Sequence, residues 1–197
     1  MVIGAVLMRE EDEVICRDLN IRDSKLIAPK RREFLFNEIK KFAVEVHHVK
    51  ISAREIDRQR KKMSLNELEA LKMAELIKKF KHEPDLVVID LPDPTAYGFI
   101  HRISRYIKIK AEIKAEHKAD AKYPSVSSAS IIAKVTRDKA IEKINEKYPV
   151  GSGYPADPRT KEFIKNNVNK GFDFIRYSWE TARRLKKEEK QSKLNDY

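Results

Sequence analysis

The amino-acid sequence predicts an α/β domain built around a partly parallel sheet. Short apolar runs of strand character alternate along the chain with longer segments of helical period, the order that builds β-α-β units. The chain has 197 residues, enough for one domain with a core of its own. It holds one cysteine, Cys16, so no disulfide framework supports the fold and a reducing, cytoplasmic setting is the natural reading.

The elements follow in order. VIGAVLM, from Val2 to Met8, reads as a buried strand and is followed by a polar stretch to Asp23. Pro29 sits in the first turn of a helix whose apolar stripe is Phe34, Leu35, Ile39 and Phe42. AVEVHHVKI is a second, valine-rich strand. In SLNELEALKMAELIKKF, Ser64 and Glu67 have capping-box spacing, and Leu65, Leu68, Met73, Leu76, Ile77 and Phe80 recur at helical spacing. DLVVID is a short apolar strand ending in Asp90. Asp93 and Pro94 then occupy the cap and first position of a helix through DPTAYGFIHRISRY. IKIKAEIKA alternates, with Ile107, Ile109, Ala111, Ile113 and Ala115 on one face and Lys108, Lys110, Glu112 and Lys114 on the other, a strand with one wet face. A long helix runs from about Ser127 into INEKY, GSGYPADP is a loop, and two shorter helices surround TKEFIKNN and SWETARRLKKEEK. The charged C-terminal end is expected to fray.

The formal net charge is +11, and 37% of residues are charged. A basic excess suits a polyanionic partner, most commonly nucleic acid. A Lys/Glu-rich surface of a heat-adapted protein has the same composition, and the two glutamines agree with it. VIGAVLM is too short to span a bilayer and has no basic lead-in or cleavage-like site, so no membrane association is expected.

Two carboxylates stand where α/β sheets place their chemistry, off the carboxyl ends of strands. Asp90 ends DLVVID, and Asp120 follows the alternating strand in HKAD. The plain alternatives are a turn aspartate and a solvated loop residue. Together they suit a hard cation such as Mg2+ or Mn2+, and paired metals on carboxylates catalyse in-line attack on phosphodiesters. His117 lies close enough to Asp120 in sequence to orient it or shuttle protons, with a surface histidine as the alternative. His47 and His48 are adjacent on a strand and face opposite ways, and His82 and His101 lack partners at ligand spacing, which argues against zinc. Tyr154, on the glycine-rich loop, either stacks on a base or sugar or covers a hydrophobic edge. No P-loop, dinucleotide fingerprint or nucleophile elbow is present.

The blocks IRDSKLIAPKRREFLFNEI, SLNELEA, VVID, EHKADAKYPSVSSASIIAKVTRDKAIEK and GSGYPADPRTKEFI, in this order, resemble type 2 ribonuclease H (ribonuclease HII) of the archaeal kind, from Val2 to about Trp179. The resemblance implies a ribonuclease H-like fold, a five-stranded mixed sheet flanked by helices. Residues 1–145 would form the core, and residues 146–197 a substrate loop and helical C-terminal extension. It implies a monomeric endonuclease that cuts the RNA strand of RNA/DNA hybrids and single ribonucleotides embedded in duplex DNA. Cleavage would depend on Mg2+ or Mn2+ and leave a 3′-hydroxyl and a 5′-phosphate. Asp90 matches the third and Asp120 the fourth of the family's four carboxylates, Lys25 matches a substrate-contacting lysine, and Tyr154 matches the tyrosine that packs on the deoxyribose after the ribonucleotide.

The chain departs from the family pattern at Pro92, at Ser128 where alanine is usual, and at Ala28 where a threonine often caps the helix. The larger departure is at the start. The family opens with a strand reading roughly G-I-D-E-A-G-R-G, which supplies the first two carboxylates, and a proline before the VIGAVLM-like strand; Met1 stands where that proline is expected. REEDE falls after the second strand and does not replace the motif. The natural chain is therefore expected to carry about ten further residues, enough for a strand and its loop. Without them the sheet loses its central strand, some apolar side chains each worth about 1.5–3 kcal/mol, and half of the metal site. The alternative function is a nuclease-inactive protein that binds RNA/DNA hybrids.

Overall fold

The computed structural model describes residues 1–21 and 27–195. The elements run β1 (Val2–Leu7), a 3₁₀ turn (Glu10–Asp12), α1 (Glu13–Asp18), α2 (Pro29–Phe42), β2 (Glu45–Lys50), α3 (Ala53–Gln59), α4 (Leu65–Ile77), β3 (Leu86–Asp90), α5 (Ala96–Ser104), β4 (Glu112–Glu116), α6 (Ala119–Lys122), α7 (Pro124–Asn145), α8 (Pro158–Asn167) and α9 (Glu180–Asn195). They form two compact units. One comprises Val2–Lys50 and Leu65–Thr136; the other comprises Met1, Ile51–Ser64 and the chain from Arg137 onward.

The four strands among the described residues lie in the first unit. β1 pairs antiparallel with β2, from Val2↔Lys50 to Leu7↔Glu45. β3 pairs parallel with β4, from Leu86↔Glu112 to Asp90↔Glu116. The pairings of a mixed sheet are thus present, but among the described residues they form two separate two-stranded sheets, four strands rather than five. No described segment carries ladder hydrogen bonds between the halves. For the same reason β1 is half-buried along its length, not buried as its apolar sequence predicts.

Two apolar clusters hold this unit together. Cys16, Ile21, Leu35, Ile39, Ile131, Ile132 and Val135 pack with Val6 and Val46 of the antiparallel pair. Ala70, Ala74, Ile89, Leu91, Phe99, Ile103 and Ala115 join α4 and α5 to the parallel pair. Burial of the Cys16 side chain pushes its thiol pKa up, and its sulfur lies 3.8 Å from the Ser128 hydroxyl. Gly4 lets β1 approach α7 closely. A Cβ there would collide with the Ala129 carbonyl oxygen and lie 3.0 Å from the Ala133 nitrogen. Gly4→Val is therefore expected to cost about 1–3 kcal/mol by overpacking, lowering the melting temperature by about 2–4 °C per kcal/mol in a chain of this size. A thermal melt followed by circular dichroism checks this, and an unchanged midpoint would contradict the close packing.

Several local expectations are corrected. The polar stretch before Asp23 holds a 3₁₀ turn and α1, which bury Cys16. Phe34 is exposed on α2 with the Arg31 guanidinium 4.6 Å from its ring, while Arg32 joins Leu35 and Ile39 on the buried face. Ala28 caps α2 without a side-chain hydrogen bond, as its lack of a hydroxyl dictates. Asp93 does not cap α5. Its carboxylate accepts from Arg102 Nε at 2.9 Å, and Thr95 caps instead, accepting from the Gly98 N–H. Arg102 also reaches Glu67, which takes Arg105 and Tyr106 as well. β4 covers only the second half of the alternating run, because β3 offers it a five-residue ladder. The C-terminal end remains helical to Asn195.

The second unit is built on aromatic packing. Val150, Phe163 and Ile175 bury against Phe172, Phe174 and Tyr177, and Ile164, Val168, Ala182 and Leu185 join α8 to α9. Asp57 of α3 accepts the backbone N–H groups of Tyr177 and Ser178 at 2.8 and 3.0 Å, fastening the C-terminal segment.

Candidate active site

Asp90 is the last residue of β3 and is exposed at the carboxyl end of the parallel pair. Its Oδ1 accepts the Ala119 N–H at 3.1 Å. That N–H is aimed by Lys118, whose left-handed backbone (φ 57°, ψ 35°) turns the chain from β4 into α6. Asp120 follows as the second residue of α6 and is 3% exposed. The two carboxylates singled out in sequence thus stand at the end of β3 and just beyond the end of its neighbour β4, with a hydrogen bond from the Ala119 N–H to Asp90 between their segments. Asp120 is a buried helical residue, not a solvated loop aspartate. Beside it opens a groove of about 480 Å³ lined by Glu13, Arg17, Asn20, Asp120, Lys122 and Tyr123.

Glu116 faces Asp90 directly across the ladder and is not among the residues singled out from the sequence. Lys122 Nζ and the Tyr123 hydroxyl reach its carboxylate at 2.5 and 2.8 Å and hold its pKa below the usual carboxylate range. His117 is exposed. Asp90 and Asp120 are the oxygen donors that a hard divalent cation prefers. Among the described residues, however, no cluster of three or more His, Cys, Asp or Glu is placed to hold a metal, and two carboxylates fall short of what a pair of close ions needs.

His82 does have a partner. Its Nδ1 lies 2.7 Å from Glu45 Oε1, and His47 Nε2 lies 2.9 Å from Glu45 Oε2. Hydrogen bonds from His47, from His82 and from the backbone at residues 81 and 82 hold the Glu45 carboxyl down at about 2. The cluster ties β2 to the segment that follows α4 and supplies no metal site. His101 stacks on Tyr97, with ring centroids 6.3 Å apart. Lys25 lies outside the described residues.

Tyr154 belongs to the second unit, where its loop is fixed on every side. Asn145 exchanges two hydrogen bonds with Gly151. Asp157 accepts from the Ser152 N–H at 2.7 Å and caps α8 through the Arg159 N–H. These bonds, the Ser152 N–H first, keep its carboxyl well below the ordinary range. Thr160 accepts from the Gly153 N–H and donates to the Val150 carbonyl. Gly153 takes φ +70° and leaves no room for a Cβ, which would sit 3.0 Å from Arg137 Nη2. The space is used by Arg137, whose guanidinium carbon lies 3.7 Å from the centre of the Tyr154 ring. Tyr154 is 43% exposed, with a cation on one face of its ring.

Among the described residues, no helix is long and apolar enough to cross a membrane. The ribonuclease HII family model matches residues 1–182. A ribonuclease HII from Pyrococcus horikoshii is 39% identical over 98% of this chain and 89% of its own length. The crystal structure of the ribonuclease H2 from Pyrococcus horikoshii OT3 superposes with a TM-score of 0.85 at 39% identity, covering 95% of this chain and 90% of that one. Ribonuclease HII in its PCNA complex from Archaeoglobus fulgidus superposes with a TM-score of 0.82 at 35% identity, over 93% and 88%. On the fold, the blocks in their order and these matches, the chain belongs to the ribonuclease HII family of endonucleases.

Proposed function

We propose that this fold, once its carboxylate set is completed, cleaves the RNA strand of RNA/DNA hybrids and single ribonucleotides in duplex DNA, leaving a 5′-phosphate and a 3′-hydroxyl. The observation that carries this is the Asp90–Ala119–Asp120 arrangement at the carboxyl end of the parallel pair, in a chain of this family with a net charge of +11. Asp90 and Asp120 are the residues that would hold Mg2+ or Mn2+, an ion that activates water and neutralises phosphate charge. In this reading residues 1–145 act as the catalytic core and residues 146–197 as the substrate-reading extension. The Ala119 N–H fixes one oxygen of Asp90 and leaves the other free to point outward. Lys25 contacts the substrate, and Tyr154 packs on the deoxyribose beside the ribonucleotide with Arg137 setting the plane of its ring. A duplex carrying one ribonucleotide, incubated with Mg2+ or Mn2+, tests the reading through cleavage position and end chemistry. Cuts at random positions would count against it.

The second reading, a nuclease-inactive protein that binds hybrids, is favoured by the lack of a third metal-placed donor among the described residues. Binding of the duplex without cleavage, even with the carboxylate set completed by an added strand, is its signature.

Tyr154→Ala is expected to lower the preference for the RNA-to-DNA junction about tenfold, within the range of about 1–3 kcal/mol for a lost aromatic stacking contact. Overall affinity, spread over many phosphate contacts, should change far less. Mapping cut sites against measured dissociation constants separates the two effects. Unchanged cut position and rate would show that the ring only covers the loop.

A further inference from the structure

We propose that α3 and the turn after it carry a further nucleic-acid contact, a row of cations that tracks the phosphate backbone of the hybrid duplex; this rests on the ribonuclease reading above. Arg54, Arg58, Arg60, Lys61 and Lys62 are all exposed. They stand on fixed backbone. Ser52 caps α3 by accepting from the Glu55 N–H at 3.0 Å, and the turn is closed by Lys62 and Met63 N–H groups donating to the Gln59 carbonyl at 2.8 and 3.0 Å.

Five cations stand within nine residues here, from Arg54 to Lys62, with little counter-charge on their side chains. On four other helices, charged side chains one turn apart pair with opposite signs: Glu13 with Arg17, Glu38 with Lys41, Lys72 with Glu75 and Arg184 with Glu188. That is the salt-bridge lacing of a heat-adapted surface. On α3, Arg54 and Arg58 put like charges at i and i+4, an arrangement that destabilises a helix. Arg54 meets Asp173 at 3.6 Å, but both side chains are about three-quarters exposed, so the pair is weak. No side-chain ion pair to a described residue involves Arg58, Arg60, Lys61 or Lys62. Asp57, which could neutralise the row, is taken by the Tyr177 and Ser178 N–H groups. Unrelieved, rigidly mounted positive charge is what a polyanion fills. The spacing suits a phosphate backbone. Arg54 and Arg58 are offset by about 6 Å along the helix, close to the axial rise of two phosphates on one strand, about 7 Å.

The test measures hybrid binding by the 197-residue chain in EDTA, by fluorescence anisotropy, across a salt series. Each phosphate contact contributes about −0.9 to the slope of log K against log salt. The Arg58→Gln/Lys61→Gln/Lys62→Gln variant is therefore expected to flatten the slope by about 2–3 and to lose about tenfold or more in affinity at moderate salt. The charge-conserving Arg58→Lys/Lys61→Arg/Lys62→Arg variant should keep the wild-type slope, which excludes misfolding as the cause. A Lys40→Gln/Lys41→Gln control on α2 should leave the slope unchanged. A wild-type slope in the triple Gln variant, or equal flattening in the control, overturns the row as a contact while leaving the ribonuclease reading intact. Absence of hybrid binding by the wild-type chain at low salt overturns both.

Discussion

Asp90→Asn is expected to reduce cleavage of a single-ribonucleotide duplex at least about 1000-fold, or about 4 kcal/mol of transition-state stabilisation, without loss of affinity for the uncut duplex. The substitution is close to isosteric. Asparagine keeps a carbonyl oxygen where Asp90 Oδ1 accepts the Ala119 N–H, so the turn into α6 and the position of Asp120 survive. What disappears is the negative charge at the carboxyl end of β3, which a hard cation requires. Asp90 is exposed, so its replacement leaves no buried group unsatisfied and the fold should melt at the wild-type temperature. The measurement is made in whichever form of the protein shows turnover, with single-turnover rates and dissociation constants determined side by side. Retained turnover would mean that the reacting phosphate sits elsewhere.

How much of this site was legible in sequence depends on how local each signal is. DLVVID announces its strand through an unbroken apolar run closed by an aspartate, and the strand ends on that aspartate. Pro29 likewise marks the start of α2. Signals that depend on two distant segments were not readable. Glu116 becomes notable only through the β3–β4 register that sets it opposite Asp90. Glu45 and His82 meet across 37 positions of sequence, and Arg137 of α7 stacks on Tyr154 of the loop that follows that helix. α1 escaped because a six-residue helix with one buried side chain, Cys16, has no period to detect. Residues 107–111 misled in the opposite direction. Their alternation is that of a strand, yet a strand needs a partner of equal length, and β3 is five residues long.

The largest gain in activity is expected from a strand. A polypeptide of these 197 residues alone is expected to leave a single-ribonucleotide duplex uncut, and the same polypeptide with a G-I-D-E-A-G-R-G strand fused ahead of Val2 is expected to cut it. Two independent features of the structure motivate this. Asp90 and Asp120 supply only part of the carboxylate set that two metal ions need, and no third donor among the described residues is placed beside them. The sheet is also divided, so β1 and β3 each keep a ladder edge without a strand partner among the described residues. Each ladder hydrogen bond contributes about 0.5–1.5 kcal/mol net, and each newly buried apolar side chain about 1.5–3 kcal/mol. Against a total stability of about 5–15 kcal/mol, one added strand should raise the melting temperature by a readily measured amount. A control strand with its Asp and Glu changed to Asn and Gln separates the two roles. It should bring the same rise in melting temperature but no cleavage, because it completes the sheet without completing the metal site. Metal-dependent cutting by the unsupplemented chain would show that Asp90 and Asp120 suffice. A supplemented chain that stays inactive at an unchanged melting temperature would show that the two half-sheets do not take up a strand between them.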